Sequence, residues 1–173
     1  MFEEVKRNFG FGCMRLPMIG EEVDHEEVNR MVDAFIAAGF NYFDTAHGYI
    51  DGKSEKAIKA CLPSRYPRDQ YILANKLSEW FFETEEEVLP LFQSQLEICG
   101  VDYFDFYLFH ALNRTSYEKH KRLHTFETVN KLHKEGKVRH IAMSFHDTAD
   151  VLDTILSEQP QIEVVQLQIN YLD

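Results

Sequence analysis

Three deficits in the sequence limit the classes of protein that it can encode. Its 18 basic residues are outnumbered by 29 acidic ones, and the formal charge of −11 disfavours binding to nucleic acid or to an anionic membrane surface. No apolar run approaches the roughly 20 residues that span a bilayer, and residues 1–6 lack the apolar core of a signal peptide. We therefore expect a soluble, cytoplasmic protein that acts on a neutral or small-molecule partner.

Cysteine is also scarce, which bears on disulfides and on metal binding. Cys13, Cys61 and Cys99 are an odd number without C-x-x-C spacing, so the sequence encodes neither a disulfide framework nor a zinc site locally. His120 and His124 lie four residues apart in a predicted helix and could together contact a metal ion, but no third ligand is near them in the sequence. We interpret them as part of a solvated helix face and predict no metal site.

Short apolar segments alternate along the chain with amphipathic helical stripes. After an opening around Gly10 and Gly12, the predicted strands cover residues 41–45, 71–76, 104–109, 138–143 and 164–169. This alternation is typical of right-handed βαβ units and a parallel sheet. No linker or low-complexity segment interrupts the alternation, so residues 1–173 are expected to form a single α/β domain.

Capping signals mark where several of the intervening helices begin. Asp24 precedes the first helix and Thr84 precedes the third, each with a glutamate three residues later. Pro90 lacks a backbone N–H, so we expect a kink or a later start in the third helix. A single longer helix is predicted between the strands at 104–109 and 138–143, ending at Gly136.

The periodicity leaves open whether the sheet is a doubly wound layer or a barrel, because both consist of the same βα units. A dinucleotide-binding layer would be expected to place G-x-G-x-x-G after its first strand. Here Gly10 and Gly12 are present, but Arg15 stands where the third glycine would be. The evidence for a doubly wound layer is therefore weak, and the choice between layer and barrel depends on the candidate functional residues.

Four residues with complementary acid–base chemistry fall at or just beyond predicted strand ends: Asp44, Tyr49, Lys76 and His110. In a barrel the carboxyl ends of the strands meet at one rim, so these residues would be neighbours. An adjacent ammonium such as that of Lys76 favours the phenolate form of a tyrosine. Asp44 would orient Lys76, and His110 would donate a hydrogen bond to a substrate carbonyl.

These residues also carry a resemblance to a known family. The segment D-T-A-H-G-Y at residues 44–49 resembles the D-T-A-x-x-Y signature of aldo-keto reductases. The lysine of A-N-K at 74–76 and the histidine of L-F-H at 108–110 follow in the family's order, and G-F-G-C-M at 10–14 is similar to its G-x-G-T opening. The resemblance implies a (β/α)₈ TIM-type barrel, of which this chain covers strands 1–6.

The resemblance also implies an activity, which is the NADPH-dependent reduction of aldehydes or ketones, with NADH as the alternative cofactor. Tyr49 would be the general acid, Lys76 and Asp44 its tuning pair, and His110 the residue that orients the carbonyl for hydride transfer. The other function left open is that of a non-catalytic binding or regulatory subunit that retains the four residues.

The cofactor contacts implied by the resemblance are those of Gly12, Cys13, Met14, Asp44, Ser144 and Gln168. Gln166 has the same strand parity as Gln168, but Gln168 is followed three positions later by a tyrosine, which fits the family's Q-x-x-Y pattern.

Two departures from the family pattern affect these expectations. The sequence S-F-H at residues 144–146 replaces the common S-N and resembles a subgroup whose barrels are followed by a cysteine-rich, ferredoxin-like segment. An iron–sulfur cluster is thus implied only for a longer parent chain. With six strands where a closed barrel needs eight, the chain as given is expected to be an inactive fragment that can self-associate through its open sheet edges.

Overall fold

The computed structural model describes residues 2–170, whose six main strands form one parallel sheet. The strands are β1 (Gly10–Gly12), β2 (Tyr42–Asp44), β3 (Ile72–Leu77), β4 (Phe104–Leu112), β5 (Val138–Phe145) and β6 (Val164–Leu167). Each strand pairs with the next in chain order, and every pairing is parallel. The predicted fold class is confirmed, because the curled sheet has the architecture of the first six units of a (β/α)₈ barrel.

Helices connect the strands and cover one face of the sheet. They are α1 (His25–Ala37), α2 (Lys53–Cys61), α3 (Val88–Cys99), α4 (Arg114–Arg122), α5 (Thr125–Lys134) and α6 (Ala149–Glu158). The Asp24 side chain accepts a hydrogen bond from the Glu27 N–H at the start of α1, as predicted. Pro90 lies in the first turn of α3, where a missing N–H costs nothing, so the expected later start of this helix is confirmed.

The two faces of the sheet differ in what they contact. Odd-numbered strand residues such as Phe43, Leu73 and Tyr107 are buried against the helices in the larger hydrophobic core. Even-numbered residues such as Phe106 and Leu108 face the barrel interior, where they form a smaller apolar cluster. Since side chains alternate along a strand, the same parity brings polar residues at the carboxyl ends of the strands to the interior rim.

The region between β4 and β5 differs from the predicted single helix. Two helices, α4 and α5, are separated at His124, whose φ of 47° is left-handed and ends the helical path. The interpretation of both histidines as a solvated face is wrong for His120. That side chain is fully buried and contacts the rings of Phe82, Phe109 and Phe126.

Smaller differences occur at both ends of the sheet. A two-stranded antiparallel hairpin, Met18–Ile19 with Glu22–Val23, was not predicted and lies between β1 and α1. The last strand ends at Leu167, two residues earlier than predicted. Within residues 2–170, β1 and β6 do not pair with each other, and no helix has the length and apolar character needed to cross a membrane.

The burial of His120 predicts a pH dependence of stability. Burial lowers the pKa of His120 to about 3, so the native state keeps this imidazole neutral while the unfolded chain takes up a proton near pH 6.5. Between these values the unfolded state binds more protons, and the free energy of unfolding falls as the pH falls. One such histidine contributes a slope of at most about 1.4 kcal/mol per pH unit.

We therefore expect His120→Leu to flatten the decrease in unfolding free energy between pH 7 and pH 5. Urea denaturation at both pH values measures it, with His124→Asn as the control because His124 is exposed and asparagine tolerates its left-handed backbone. An equal pH dependence in wild type and His120→Leu would contradict the prediction.

Candidate active site

Three of the four predicted acid–base residues lie on the interior face of the sheet near the carboxyl ends of their strands. Asp44 is the last residue of β2, Lys76 is near the end of β3, and His110 lies in the last third of β4. Tyr49 follows β2 in the loop that leads to α2. The structure thus brings the four residues together, although the sequence separates them by up to 66 positions, from 44 to 110.

Lys76 and Asp44 form an ion pair at the centre of this site. Lys76 is 1% exposed, and its Nζ lies 2.5 Å from Asp44 Oδ1 and donates to the Thr45 carbonyl oxygen at 2.8 Å. A buried ammonium is costly unless it is paired and hydrogen-bonded, and here it is both. The second oxygen, Asp44 Oδ2, is buried and has no hydrogen-bond partner within residues 2–170. It is an acceptor that no described residue uses.

Tyr49 lies over the Lys76 ammonium. The Lys76 Nζ is 4.7 Å from the centroid of the Tyr49 ring, which is within the range of a cation–π contact. The rings of Tyr49 and His110 are 5.9 Å apart between centroids and meet edge to face. A phenol and an imidazole therefore flank one position at the rim.

His110 is held neutral by its surroundings. Burial lowers the pKa of His110 to about 3, with a further contribution from the charge of Lys76 and a smaller one from His146. Its Nδ1 lies 2.6 Å from the Ser78 Oγ, and Ser78 is itself buried. With the Ser78 hydroxyl as donor to Nδ1, the proton of the neutral ring is on Nε2, which can donate to a ligand.

Ser144, a predicted cofactor contact, has a structural partner. Its Oγ accepts a hydrogen bond of 2.7 Å from the Ala111 N–H. Ala111 has a φ of 53°, unusual for a non-glycine residue, and lies where the register of β4 and β5 shifts between Phe109 and Leu112. The Ser144 hydroxyl proton remains available for donation, since the N–H contact uses only an oxygen lone pair.

The three predicted cofactor contacts near the start of the chain differ from one another in their exposure. Gly12 pairs with Asp44 across β1 and β2, and both residues line a cavity of 410 Å³ together with Gln166. The Cys13 side chain is fully buried in the core on the helix side, and its backbone N–H and carbonyl oxygen are bonded to the Asp44 carbonyl oxygen and the Ser54 hydroxyl. Met14 is 52% exposed.

The two glutamines near the end of the chain, Gln166 and Gln168, differ in their position relative to β6. Gln166 lies within β6 and is the register partner of Ser144 in β5. Gln168 follows the last residue of that strand and is exposed. Tyr171, on which the choice of Gln168 rested, lies outside the described residues.

Sequence reasoning did not identify two groups of residues around the site. Ser78 and the aromatic pair Trp80 and Phe81 follow β3, and the Trp80 ring lies 4.9 Å from the His110 ring between centroids. Glu55 and His47 lie behind the site and contact each other. The available signal was the run S-E-W-F at residues 78–81, whose exposed aromatics directly after a strand are typical of a binding loop.

The described residues contain no group of three or more histidine, cysteine, aspartate or glutamate side chains arranged to hold a metal ion. The arrangement is suited to proton transfer to an oxygen atom. It offers one phenol, one ammonium, one neutral imidazole and an acceptor oxygen at a common rim.

Comparison with known proteins identifies the family of the chain. The sequence profile of the Aldo/keto reductase family matches residues 8–173. An aldo-keto reductase from Mycobacterium sp. (strain KMS) is 34% identical over 120 residues, which cover 69% of this chain and 41% of the relative. The chain thus spans about half the length, or less, of the relatives that it matches.

Two solved structures share the fold. The holo form of an aldo-keto reductase from Bacillus halodurans aligns with a TM-score of 0.75 at 26% identity, over 93% of this chain and 53% of that one. An aldo-keto reductase from Klebsiella pneumoniae in complex with NADPH aligns with a TM-score of 0.73 at 23% identity, over 92% and 53%. Because the family profile matches residues 8–173 and the sheet has the same fold as these structures, the chain belongs to the aldo/keto reductase family.

Proposed function

We propose that this chain supplies the acid–base site of an enzyme that reduces aldehydes or ketones to alcohols with a hydride from NADPH. The observation that carries the proposal is the buried Lys76–Asp44 pair directly beneath the Tyr49 ring, with His110 beside it. Carbonyl reduction needs a hydride at carbon and a proton at oxygen. The nicotinamide supplies the hydride when bound, and the residues of the chain supply the proton and hold the carbonyl.

Tyr49 is the proposed proton donor. Its ring is half-buried at the rim, and the Lys76 ammonium faces it at 4.7 Å. A positive charge at this distance stabilises the negative charge that develops on the phenol oxygen as the proton leaves. Asp44 fixes the position of that ammonium, because Lys76 Nζ is held between the Asp44 carboxylate and the Thr45 carbonyl oxygen.

His110 is the proposed orienting residue for the substrate carbonyl. It remains neutral at physiological pH, since its pKa is lowered to about 3, and therefore does not compete with Tyr49 as the acid. Ser78 at Nδ1 fixes the ring orientation and leaves the Nε2–H to donate to the carbonyl oxygen. Two donors, Tyr49 and His110, then meet at one oxygen atom.

The nicotinamide end of the cofactor fits the polar atoms that the rim leaves available. Asp44 Oδ2 is an acceptor without a partner, and the Ser144 hydroxyl retains its proton. We propose Gln168 as the second carboxamide contact on the strength of the resemblance, and Gln166 as its competitor, because Gln166 is the residue in register with Ser144. We propose NADPH as the cofactor, the dinucleotide with which the Klebsiella structure was solved.

The substrate side of the site is aromatic. Trp80 and Phe81 are 52% and 41% exposed, and their rings contact those of His110 and His47, respectively. A carbonyl bound between Tyr49 and His110 would place its substituent against this surface. We therefore propose a small carbonyl compound with an apolar or aromatic substituent as the substrate class.

Tyr49→Phe tests the role of the phenol in the protein expressed from its complete reading frame. We expect kcat for carbonyl reduction to fall about 10²–10⁴-fold, because the substitution removes the proton and leaves the ring. Cofactor affinity should be nearly unchanged. Stopped-flow reduction and a fluorescence titration with NADPH on the same variant measure both quantities. Turnover near that of wild type would exclude Tyr49 as the acid.

We also propose that a polypeptide of residues 1–173 alone is inactive. Its phosphate contacts are incomplete, because the sequence contains no basic, glycine-rich phosphate loop, and without them the nicotinamide is not positioned for transfer. The β6 end of the sheet exposes apolar side chains, with Leu167 and Ile169 43% and 80% exposed. Such a surface favours self-association.

For this polypeptide we expect no NADPH binding by calorimetry at micromolar protein, and elution above the monomer mass in size-exclusion chromatography. The aldo-keto reductase from Klebsiella pneumoniae, whose structure was solved in complex with NADPH, is the positive control for the calorimetry. A monodisperse monomer of residues 1–173 that binds NADPH tightly would contradict the proposal.

A further inference from the structure

A buried carboxyl group lies on the helix side of the sheet, directly behind the acid–base residues. Glu55 is in the first turn of α2 and is fully buried. A buried carboxyl group needs hydrogen-bond partners for both oxygens, and Glu55 has them. Its Oε2 lies 2.7 Å from His47 Nδ1, while its Oε1 accepts from Asn75 Nδ2 at 2.7 Å and Gln95 Nε2 at 3.3 Å.

The Oε2 side of Glu55 leads to Tyr49. His47 is two residues before Tyr49 in the loop between β2 and α2, and that loop is strained. Ile50 and Asp51 both have a φ of 52°, a left-handed conformation that non-glycine residues rarely adopt. Such a conformation persists where the surroundings impose it. The His47 contact ties the loop to α2 from the side opposite the barrel interior.

The Oε1 side of Glu55 leads to Lys76. Asn75, which donates to Glu55, also accepts a hydrogen bond from the Lys76 N–H at 2.8 Å. Gln95 donates to the Lys76 carbonyl oxygen at 3.0 Å, and the Tyr107 hydroxyl in turn donates to Gln95 at 2.5 Å. Both backbone groups of Lys76 are therefore contacted by side chains of the network to which Glu55 belongs.

From this geometry we infer that Glu55 is a positioning residue, whose two oxygens join the Tyr49 loop to the strand that carries Lys76 and so fix the distance between phenol and ammonium. The inference rests on the proposed function. Neither His47 nor Glu55 touches the reacting atoms, so each acts through the geometry of Tyr49 and Lys76. A displacement of about 1 Å in such a pair can cost on the order of 100-fold in rate.

His47 is the better position for a test than Glu55. Replacing Glu55 would remove the carboxylate that accepts from Asn75 Nδ2 and one of the acceptors of Gln95 Nε2, and a loss of such bonds in the core destabilises the whole fold. At His47, asparagine places an amide near the position of Nδ1 and can keep the contact with Glu55, whereas glutamine places its amide near Nε2 and loses it. Lys56→Ala, at an exposed position of the same helix, is the control for general effects on α2.

Two readouts are measured on the protein expressed from its complete reading frame. Steady-state reduction of a small aldehyde gives kcat and the KM for NADPH. Hydrogen–deuterium exchange is followed at the Tyr49 and Ser54 amides, which donate to the Ala46 and Tyr49 carbonyl oxygens. We expect His47→Gln to lower kcat at least about 10-fold, with KM for NADPH within about 2-fold, and to speed exchange at both amides about 10-fold. His47→Asn should restore both quantities.

The outcomes separate this inference from the proposed function. Exchange that rises in His47→Gln without a loss of kcat would overturn the positioning role, and so would equal exchange and kcat in His47→Gln and His47→Asn. A wild-type protein that reduces neither aldehydes nor ketones would refute the proposed function. The exchange rates would then still decide whether the Glu55 contact holds the Tyr49 loop in place.

Discussion

The structure of the site depends on one ion pair, between Lys76 and Asp44. An ammonium that is 1% exposed has lost almost all of its hydration and must recover that energy from a carboxylate and a carbonyl oxygen at hydrogen-bond distance. The pair can form because β2 and β3 are adjacent and parallel, with Asp44 in register with Ala74, two residues before Lys76. Two residues of the same parity on neighbouring strands thus meet on the interior face. Tyr49 and His110 are arranged around this pair, and the charge of Lys76 contributes to keeping His110 neutral.

The two faces of the sheet carry different polar groups of the site. The interior face carries the groups that would touch the substrate and cofactor, such as Asp44, Lys76 and His110. The helix face carries a second polar network, centred on Glu55, whose members contact each other and the backbone rather than the interior. Because β3 contributes Asn75 to one face and Lys76 to the other, a hydrogen bond on the helix side constrains a charge on the interior side. This coupling explains why a fully buried carboxyl group is placed behind the site.

The parallel strands, most helix boundaries and the order of the four acid–base residues could be predicted because they depend on local patterns and motif spacing. The separation of α4 from α5 could not be predicted. It depends on the left-handed backbone at His124, and no glycine or asparagine stands at that position to indicate a break in the helix. The burial of His120 and Glu55 was also inaccessible from the sequence. Both are polar residues at helical positions, and they become buried through contacts with aromatic or amide side chains from other elements. The early end of β6 shows the same limit, because strand ends depend on pairing and not on residue type alone.

Isotopic labelling tests directly whether a hydride passes from the nicotinamide to a carbonyl carbon at the rim. The protein expressed from its complete reading frame is incubated with a small aldehyde and with NADPH that carries deuterium at both positions of nicotinamide C4. Mass spectrometry of the product alcohol then shows whether the label has moved. We expect an alcohol with one deuterium at the carbinol carbon and a hydroxyl proton taken from the protein or solvent. An alcohol without deuterium at that carbon would contradict this expectation.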